Sequence, residues 1–149
     1  MKKIILLAML LFSMFSGAQQ AVHIIPQPVS LEMKQGNFVI DDKTAIKISK
    51  KDKEVEKVVH FFAEYVKRVT GFDLKGNNKG NKIIFSIDKI SEIGDEGYLV
   101  SVNANEILVK ANTSKGLFYG VQSLLQTLPS IRTNDLVQIP SMEIKDYPR

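Results

Sequence analysis

Apolar residues recur at helical spacing between Asp52 and Thr70, and charged residues occupy the opposite side. This pattern predicts an amphipathic α-helix that lies on a sheet. Gly71 follows as a C-terminal cap. Binding to a membrane or to a partner helix is the alternative interpretation of the same stripe. The stripe consists of Val55, Val58, Val59, Phe62, Val66 and Val69.

A second helical pattern begins near Thr113 or Ser114, either of which can cap its first turn. We expect Pro129 to end it, because proline has no backbone N–H to continue a helix. Gly116 and Gly120 each weaken a helix by about 1 kcal/mol relative to alanine, which suggests a close approach to the sheet. The buried stripe of this helix consists of Leu117, Val121, Leu124, Leu125 and Leu128.

Strand-like alternation of apolar and polar residues fills residues 82–87, 97–102 and 106–111. An Asn-Ala-Asn turn joins the last two stretches, so the pattern predicts a β-hairpin. The buried face of this hairpin consists of Tyr98, Val100, Val102, Ile107, Val109 and Ala111.

Two shorter extended pieces, residues 37–40 and 45–48, flank an Asp-rich turn, and a second hairpin is the simplest interpretation. Pro26 and Pro28 precede them and indicate an edge strand or a leading segment, since proline cannot continue a helix. Residues 137–148 are extended again. Together the patterns predict an α+β two-layer sandwich, in which two α-helices pack on one face of a mostly antiparallel or mixed β-sheet.

The first 18 residues have the pattern of a secretory signal peptide, with two lysines, an apolar run and then small residues up to Ala18. We expect cleavage before Gln19, export to the periplasm or beyond the cell, and no membrane contact afterwards. An uncleaved membrane anchor is the alternative, although the apolar run is shorter than the roughly 18 residues that a spanning helix needs. An N-terminal domain over residues 19–141 and a junction over residues 142–149 are then expected.

Composition narrows the possible chemistry. The chain contains no cysteine, which excludes disulfides, thiolate metal ligands and lipid attachment through an N-terminal cysteine. Its formal charge of +4 includes both lysines of the leader, and charges of both signs are mixed along the rest. That distribution predicts no nucleic-acid partner.

A search for catalytic, cofactor-binding or metal-binding residues assigns none. His23 and His60 are isolated from carboxylates and from each other. Residues 74–82 contain lysines and glycines but lack the Gly-Lys-Ser/Thr ending of a phosphate-binding loop, so a surface loop is the preferred interpretation. Asp95 and Glu96 are adjacent carboxylates just before a strand, where water would keep both ionised. We interpret them as part of a turn rather than as a catalytic pair.

Three stretches nevertheless occur together in one known setting: residues 24–40, residues 95–129 and residues 137–149. In this order and spacing they resemble the N-terminal domain of glycoside hydrolase family 20, the β-N-acetylhexosaminidases. The most specific part runs from Glu96 to Leu124 and includes GLFYGVQSL. The resemblance implies a sheet with two helices on one face, followed by a catalytic (β/α)8 barrel.

The resemblance also implies where the chemistry of a parent enzyme lies. Asp146-Tyr147-Pro148-Arg149 resembles the junction to the barrel, and the family's sugar-binding arginine and catalytic Asp–Glu pair belong to segments that this chain does not contain. The implied reaction removes terminal β-linked GlcNAc or GalNAc with retention, using the substrate's own 2-acetamido oxygen as nucleophile. The implied partners are the barrel of the same parent chain and, through it, an N-acetylhexosaminyl glycan. The 149-residue segment is predicted to be inactive alone.

Two alternatives remain open from the sequence. The chain could be a stand-alone secreted module that associates with glycan or packs on a partner barrel. It could also be the same type of domain from a related exported glycosidase, such as a glucuronidase or an N-acetylglucosaminidase of another family.

Overall fold

The computed structural model describes residues 22–50, 52–75, 80–133 and 135–149. The predicted leader and residues 76–79 of the lysine-rich loop lie outside the described residues. The elements in chain order are β1 (Ser30–Ile40), β2 (Ala45–Ile48), α1 (Lys53–Thr70), β3 (Lys82–Ile87), β4 (Tyr98–Val102), β5 (Glu106–Ala111), α2 (Ser114–Leu125) and β6 (Val137–Asp146).

Helix α1 follows its sequence pattern closely. The Asp52 carboxylate accepts hydrogen bonds from the Glu54 and Val55 N–H groups, at 2.9 and 3.3 Å, and so caps the first turn. Gly71 ends the helix in the left-handed conformation, with φ of 81°, and donates its N–H to the Lys67 carbonyl. The predicted stripe is buried except for Val58, which is half-buried. The prediction of a core-packed amphipathic helix is confirmed.

Helix α2 begins as predicted but ends earlier. Thr113 caps it by accepting the Gly116 N–H at 3.3 Å. The helix stops at Leu125 rather than at Pro129. Thr127 and Leu128 then donate their N–H groups to carbonyls three residues back, so the chain tightens into turns before the proline.

The glycines of α2 lie against the sheet, as predicted. A Cβ on Gly116 would lie 2.4 Å from the Gly97 carbonyl oxygen, and one on Gly120 would lie 2.8 Å from the Val109 Cγ1 atom. Both distances are shorter than van der Waals contact. Larger residues would therefore hold the helix away from the sheet.

The sheet has six strands in the order β1-β6-β4-β5-β3-β2. The β4–β5 pair is the predicted hairpin, and its register places Val100 opposite Val109. The pairs β2–β3 and β3–β5 are parallel, whereas the pairs β1–β6, β6–β4 and β4–β5 are antiparallel. The mixed sheet with two helices confirms the predicted α+β sandwich.

The predicted hairpin between residues 37–40 and 45–48 is wrong. Among the strands that the structure describes, β1 pairs with β6 and β2 pairs with β3, at opposite edges of the sheet. Alternation and an Asp-rich turn predict two strands and a tight connection, but they do not specify the pairing partner. The connection itself is tight, because the Thr44 hydroxyl bonds both the N–H and the carboxylate of Asp41.

A bend in the β1–β6 ribbon explains how a short connection can join β1 and β2, which lie at opposite edges of the sheet. The β1–β6 register shifts between Met33 and Asn37, around Gly36 at φ of 98°. Only the second half of β6 pairs with β4, whereas its first half pairs with the end of β1 alone. The Asn81 side chain donates to the Val39 carbonyl at 3.1 Å, which places the end of β1 beside the start of β3.

The hydrophobic core lies between the sheet and the helices. The bent ribbon contributes Phe38 and Ile40 to it, and both are fully buried. Strand β6 continues to Asp146, so residues 142–146 of the predicted junction are part of the sheet. Among the described residues, no helix combines the length and the apolar character that crossing a bilayer requires.

Candidate functional site

The structure places the Asp95–Glu96 pair in a turn ahead of β4, as the sequence predicts. Asp95 is exposed, and its backbone carbonyl accepts the Thr113 hydroxyl. The Glu96 carboxylate accepts a hydrogen bond from the Lys115 ammonium at 2.5 Å. The turn therefore anchors the start of α2 through the backbone carbonyl of Asp95 and the carboxylate of Glu96.

The two histidines lie apart and both are exposed. His23 precedes β1, whereas His60 lies on α1. Within the part of the chain that the structure describes, no group of three His, Asp or Glu side chains could hold a metal ion.

A groove runs along α2 to the last residues of the chain, here called the exit groove. It encloses about 280 Å³ and is lined by Glu96, Tyr98, Tyr119, Asp146, Tyr147 and Pro148. A smaller hollow of about 120 Å³ adjoins it, with Ile25, Pro26 and Gln126 among its lining residues. The groove is thus bounded by the segment before β1, by α2 and by the residues after β6.

Hydrogen bonds tie these three boundaries together. The Asp146 carboxylate accepts the Val29 N–H at 3.1 Å and lies 3.5 Å from the Tyr98 hydroxyl. That hydroxyl is 2.5 Å from the Ser123 hydroxyl of α2, and both residues are buried. Burial raises the pKa of the Tyr98 hydroxyl above its usual range, because the ionised form would lose its hydration.

Three aromatic side chains remain exposed on the outer side of the two helices, and we call them the helix seam. Phe61 of α1 is 44% exposed, and Phe118 and Tyr119 of α2 are each 38% exposed. The ring centroids of Phe61 and Phe118 are 5.9 Å apart, and those of Phe118 and Tyr119 are 6.1 Å apart. Tyr119 belongs to both the seam and the exit groove, so the two features form one continuous surface.

The family resemblance predicts an exposed apolar patch formed by the C-terminal strand and the adjoining helix side, but sequence reasoning did not identify the residues of the groove or of the seam. A signal for the seam is present, because Phe61 and Phe118 are large apolar residues one position outside the buried stripes of their helices. The sequence contains no comparable signal for the groove, since the residues that line it come from three separate parts of the chain.

Comparison with known proteins shows to which family the domain that carries this surface belongs. Residues 21–147 match the family model described as glycosyl hydrolase family 20, domain 2. The chain belongs to glycosyl hydrolase family 20. The resemblance seen in the sequence is thereby confirmed.

Relatives in family 20 are much longer than this chain. A β-hexosaminidase of Porphyromonas gingivalis is 28% identical over 138 residues, which are 87% of this chain but 18% of that protein. An N,N'-diacetylchitobiase of Vibrio harveyi is 28% identical over 85% of this chain and 14% of its own length. The chain therefore spans less than a fifth of these two family 20 relatives.

Solved structures of family 20 share the fold. The β-N-acetylhexosaminidase of Streptomyces coelicolor superimposes with a TM-score of 0.75 at 27% identity, over 85% of this chain and 26% of that one. The chitobiase of Flavobacterium johnsoniae gives a TM-score of 0.66 at 27% identity, over 89% and 22%. The relatives are multi-domain family 20 enzymes in which this domain accompanies a catalytic barrel, and the chain corresponds to a non-catalytic domain of a hexosaminidase.

Proposed function

We propose that the chain is the N-terminal non-catalytic domain of an exported β-N-acetylhexosaminidase and packs against a catalytic (β/α)8 barrel of the same polypeptide. The family 20 match over residues 21–147 is the observation that carries the proposal. The share of each relative that lies outside this domain leaves ample length for a barrel. The family match also favours family 20 over a related glycosidase.

The proposed reaction of the whole enzyme removes terminal β-linked GlcNAc or GalNAc. The acetamido oxygen of the substrate attacks the anomeric carbon, and an acid on the barrel protonates the leaving oxygen. Such chemistry needs a water-excluding pocket, which barrels provide at the carboxyl ends of their strands. The exit groove of this domain is open, and both of its carboxylates are already bonded, Glu96 to Lys115 and Asp146 to the Val29 N–H, so we assign the chemistry to the barrel.

We place the barrel contact on the helix seam. The seam exposes aromatic surface, and contiguous apolar patches of this kind mark interaction sites. Tyr147 and Pro148 line the same groove as Tyr119, so a segment that follows Arg149 would start beside the seam. A compact barrel linked there needs only a short connection to cover it.

The coding sequence beyond the Arg149 codon tests the domain assignment. We expect an open frame that continues into a barrel containing an Asp–Glu pair on one strand. A stop codon at that point, together with a soluble folded product, would instead support the stand-alone secreted module.

Activity of the isolated segment gives a second test. Residues 19–149 should fold and leave β-N-acetylglucosaminides intact at every enzyme concentration tried. Turnover that disappeared in Glu96→Gln would overturn the assignment, because it would place the chemistry in the turn before β4. Glu92→Gln is the matched control, since Glu92 is an exposed carboxylate of the same turn region.

Binding to a separately expressed barrel tests the contact surface. Phe118→Ser should weaken the association by at least about tenfold, as expected for a central aromatic contact. Leu108→Ser on the opposite side of the sheet is the control and should bind normally. Equal weakening by both variants would contradict the placement on the seam.

Export can be tested on the protein isolated from its native host. We expect the mature chain to begin at Gln19 and to be found outside the cytoplasm. Intact Met1 in the purified protein would support the uncleaved anchor.

A further inference from the structure

The segment before β1 crosses the end of α2 and the last residues of the chain, and we call it the N-terminal strap (Ile24–Val29). Ile24 and Pro28 are buried and attach it to the core. The other strap residues are exposed and make no strand pairing, because β1 begins only at Ser30. Their backbone polar groups depend on side chains from elsewhere.

Gln126 holds one end of the strap. Its side-chain oxygen accepts the Ile25 N–H at 2.8 Å, and its side-chain nitrogen donates to the Ile25 carbonyl at 3.1 Å. One amide thus satisfies both backbone groups of a single residue, as a neighbouring strand would do. The contact joins the strap to the end of α2.

Asp146 and Arg149 hold the other end. The Asp146 carboxylate accepts the Val29 N–H at 3.1 Å, and the Arg149 guanidinium donates to the Gln27 carbonyl at 3.3 Å. Asp146 is also the last residue of β6, paired with Tyr98. Beyond it, residues 147–149 form no regular structure, and we call them the chain exit.

We propose that Asp146 and Gln126 are positioning residues that set the direction in which the chain leaves the domain, by holding the strap against the chain exit. The sheet guides the chain only as far as Asp146. The next three residues adopt one conformation because they lie beside the strap, which is itself hydrogen-bonded to α2 and β6. An incoming barrel would then start from a defined orientation relative to the helix seam.

The inference rests on the proposed function for its biological purpose, but its physical content can be measured in this chain alone. Gln126 is exposed and Asp146 is half-buried, and neither belongs to the hydrophobic core. Removing either side chain should therefore release the strap and the exit without unfolding the domain. A merely structural role would instead lower stability throughout.

Distance measurements between two spin labels test the proposal. The chain has no cysteine, so labels attach only where cysteines are introduced. One label replaces exposed His60 on α1, as His60→Cys, and the other is carried by a cysteine added after Arg149. The parent pair should give a narrow distance distribution. Asp146→Ala and Gln126→Ala should each broaden it at least about twofold, as expected for a terminal segment that opens locally.

Three controls make the result specific. Asp146→Asn keeps an acceptor for the Val29 N–H and should restore most of the narrow distribution. Asp42→Ala removes an exposed aspartate in the turn after β1 and should change nothing. A label pair on His60→Cys and Lys89→Cys, away from the exit, should stay narrow in every variant.

A narrow exit distribution in both Asp146→Ala and Gln126→Ala would overturn the proposal, and so would equal broadening of the control pair. If Asp146→Ala fails to fold, Gln126→Ala decides the question, because its side chain is exposed. A stop codon after Arg149 would remove the barrel from the proposed function and leave this measurement unaffected.

Discussion

The two broad surfaces of the domain differ in what their exposed side chains contact. On the open face of the sheet, charged and polar side chains bond to one another: Lys145 lies 2.9 Å from Glu92, and the Ser101 hydroxyl donates to Glu143 at 2.8 Å. On the helix side, the seam exposes aromatic rings that lie next to one another. The open face therefore tolerates water, whereas the seam gains free energy when a partner covers it.

The difference teaches which side of a two-layer domain is available for association. Exposure alone does not decide it, because Leu99 and Leu108 are also half-exposed on the open face. Those leucines are interspersed with paired charges, which would have to be dehydrated on docking. The seam combines apolar area with a position beside the chain exit.

The sharpest test of the comparison uses adjacent phenylalanines of α1. Phe62 is fully buried and its ring packs on Phe85 at 5.3 Å, whereas Phe61 belongs to the seam. Phe62→Ala should lower the free energy of unfolding by about 3–5 kcal/mol, and Phe61→Ala by well under half of that. Urea unfolding measures both. Similar losses would show that the seam is part of the core.

The glycines of α2 test how closely the helix that carries Phe118 and Tyr119 packs against the sheet. Gly116→Ala brings a methyl group against a backbone carbonyl and should cost about 1–3 kcal/mol of unfolding free energy. Gly120→Ala meets the buried side chains of Val109 and Tyr98 at 2.8 and 3.1 Å, a smaller overlap than at Gly116, and gains about 1 kcal/mol of helix propensity. We expect the first variant to melt clearly below the second. The reverse order would contradict the close approach at Gly116.

Tyr98→Phe tests the polar contact beneath the exit groove. Losing the hydroxyl leaves Ser123 without its partner and should cost about 1 kcal/mol at neutral pH. The raised pKa of Tyr98 means that the folded state holds its proton more tightly. The resulting stability is present below about pH 10 and is lost as pH rises through the folded pKa.

The alkaline part of this prediction is a comparison between variants. Lysines with a raised pKa, such as Lys115 and Lys145, also stabilise the fold less at high pH. That loss is the same in the parent and in Tyr98→Phe, so it cancels in the comparison. Tyr98→Phe should therefore lose less stability than the parent between about pH 9 and pH 11. Parallel pH profiles would show that the Tyr98 hydroxyl titrates as it does in the unfolded chain.

The smallest effect is expected on the open face. Lys145→Ala removes an exposed ion pair with Glu92, and such pairs contribute little to stability. The melting temperature should stay within experimental error, at low and at high salt. A clear drop would mean that the charges of this face support the fold as strongly as the helix side does.

Local patterns in the sequence determined most of the elements. The stripe of α1 and its Gly71 stop act within a few residues, so their signals are local and were predicted correctly. The Asp52 cap is equally local, but only the structure identified it. The β4–β5 hairpin is local for the same reason, since two strands meet across a short turn. The family match adds the setting of the domain, which composition and spacing did not reveal.

Long-range contacts were decided only by the tertiary structure. Strands β1 and β2 are separated by four residues yet lie at opposite edges, because β6 competes for β1 and the ribbon bends at Gly36. The contact of Gln126 with Ile25 joins residues 101 positions apart. A sequence pattern records which face of an element is apolar. Which distant element covers that face, and which surface is left uncovered, follows from how the whole chain packs.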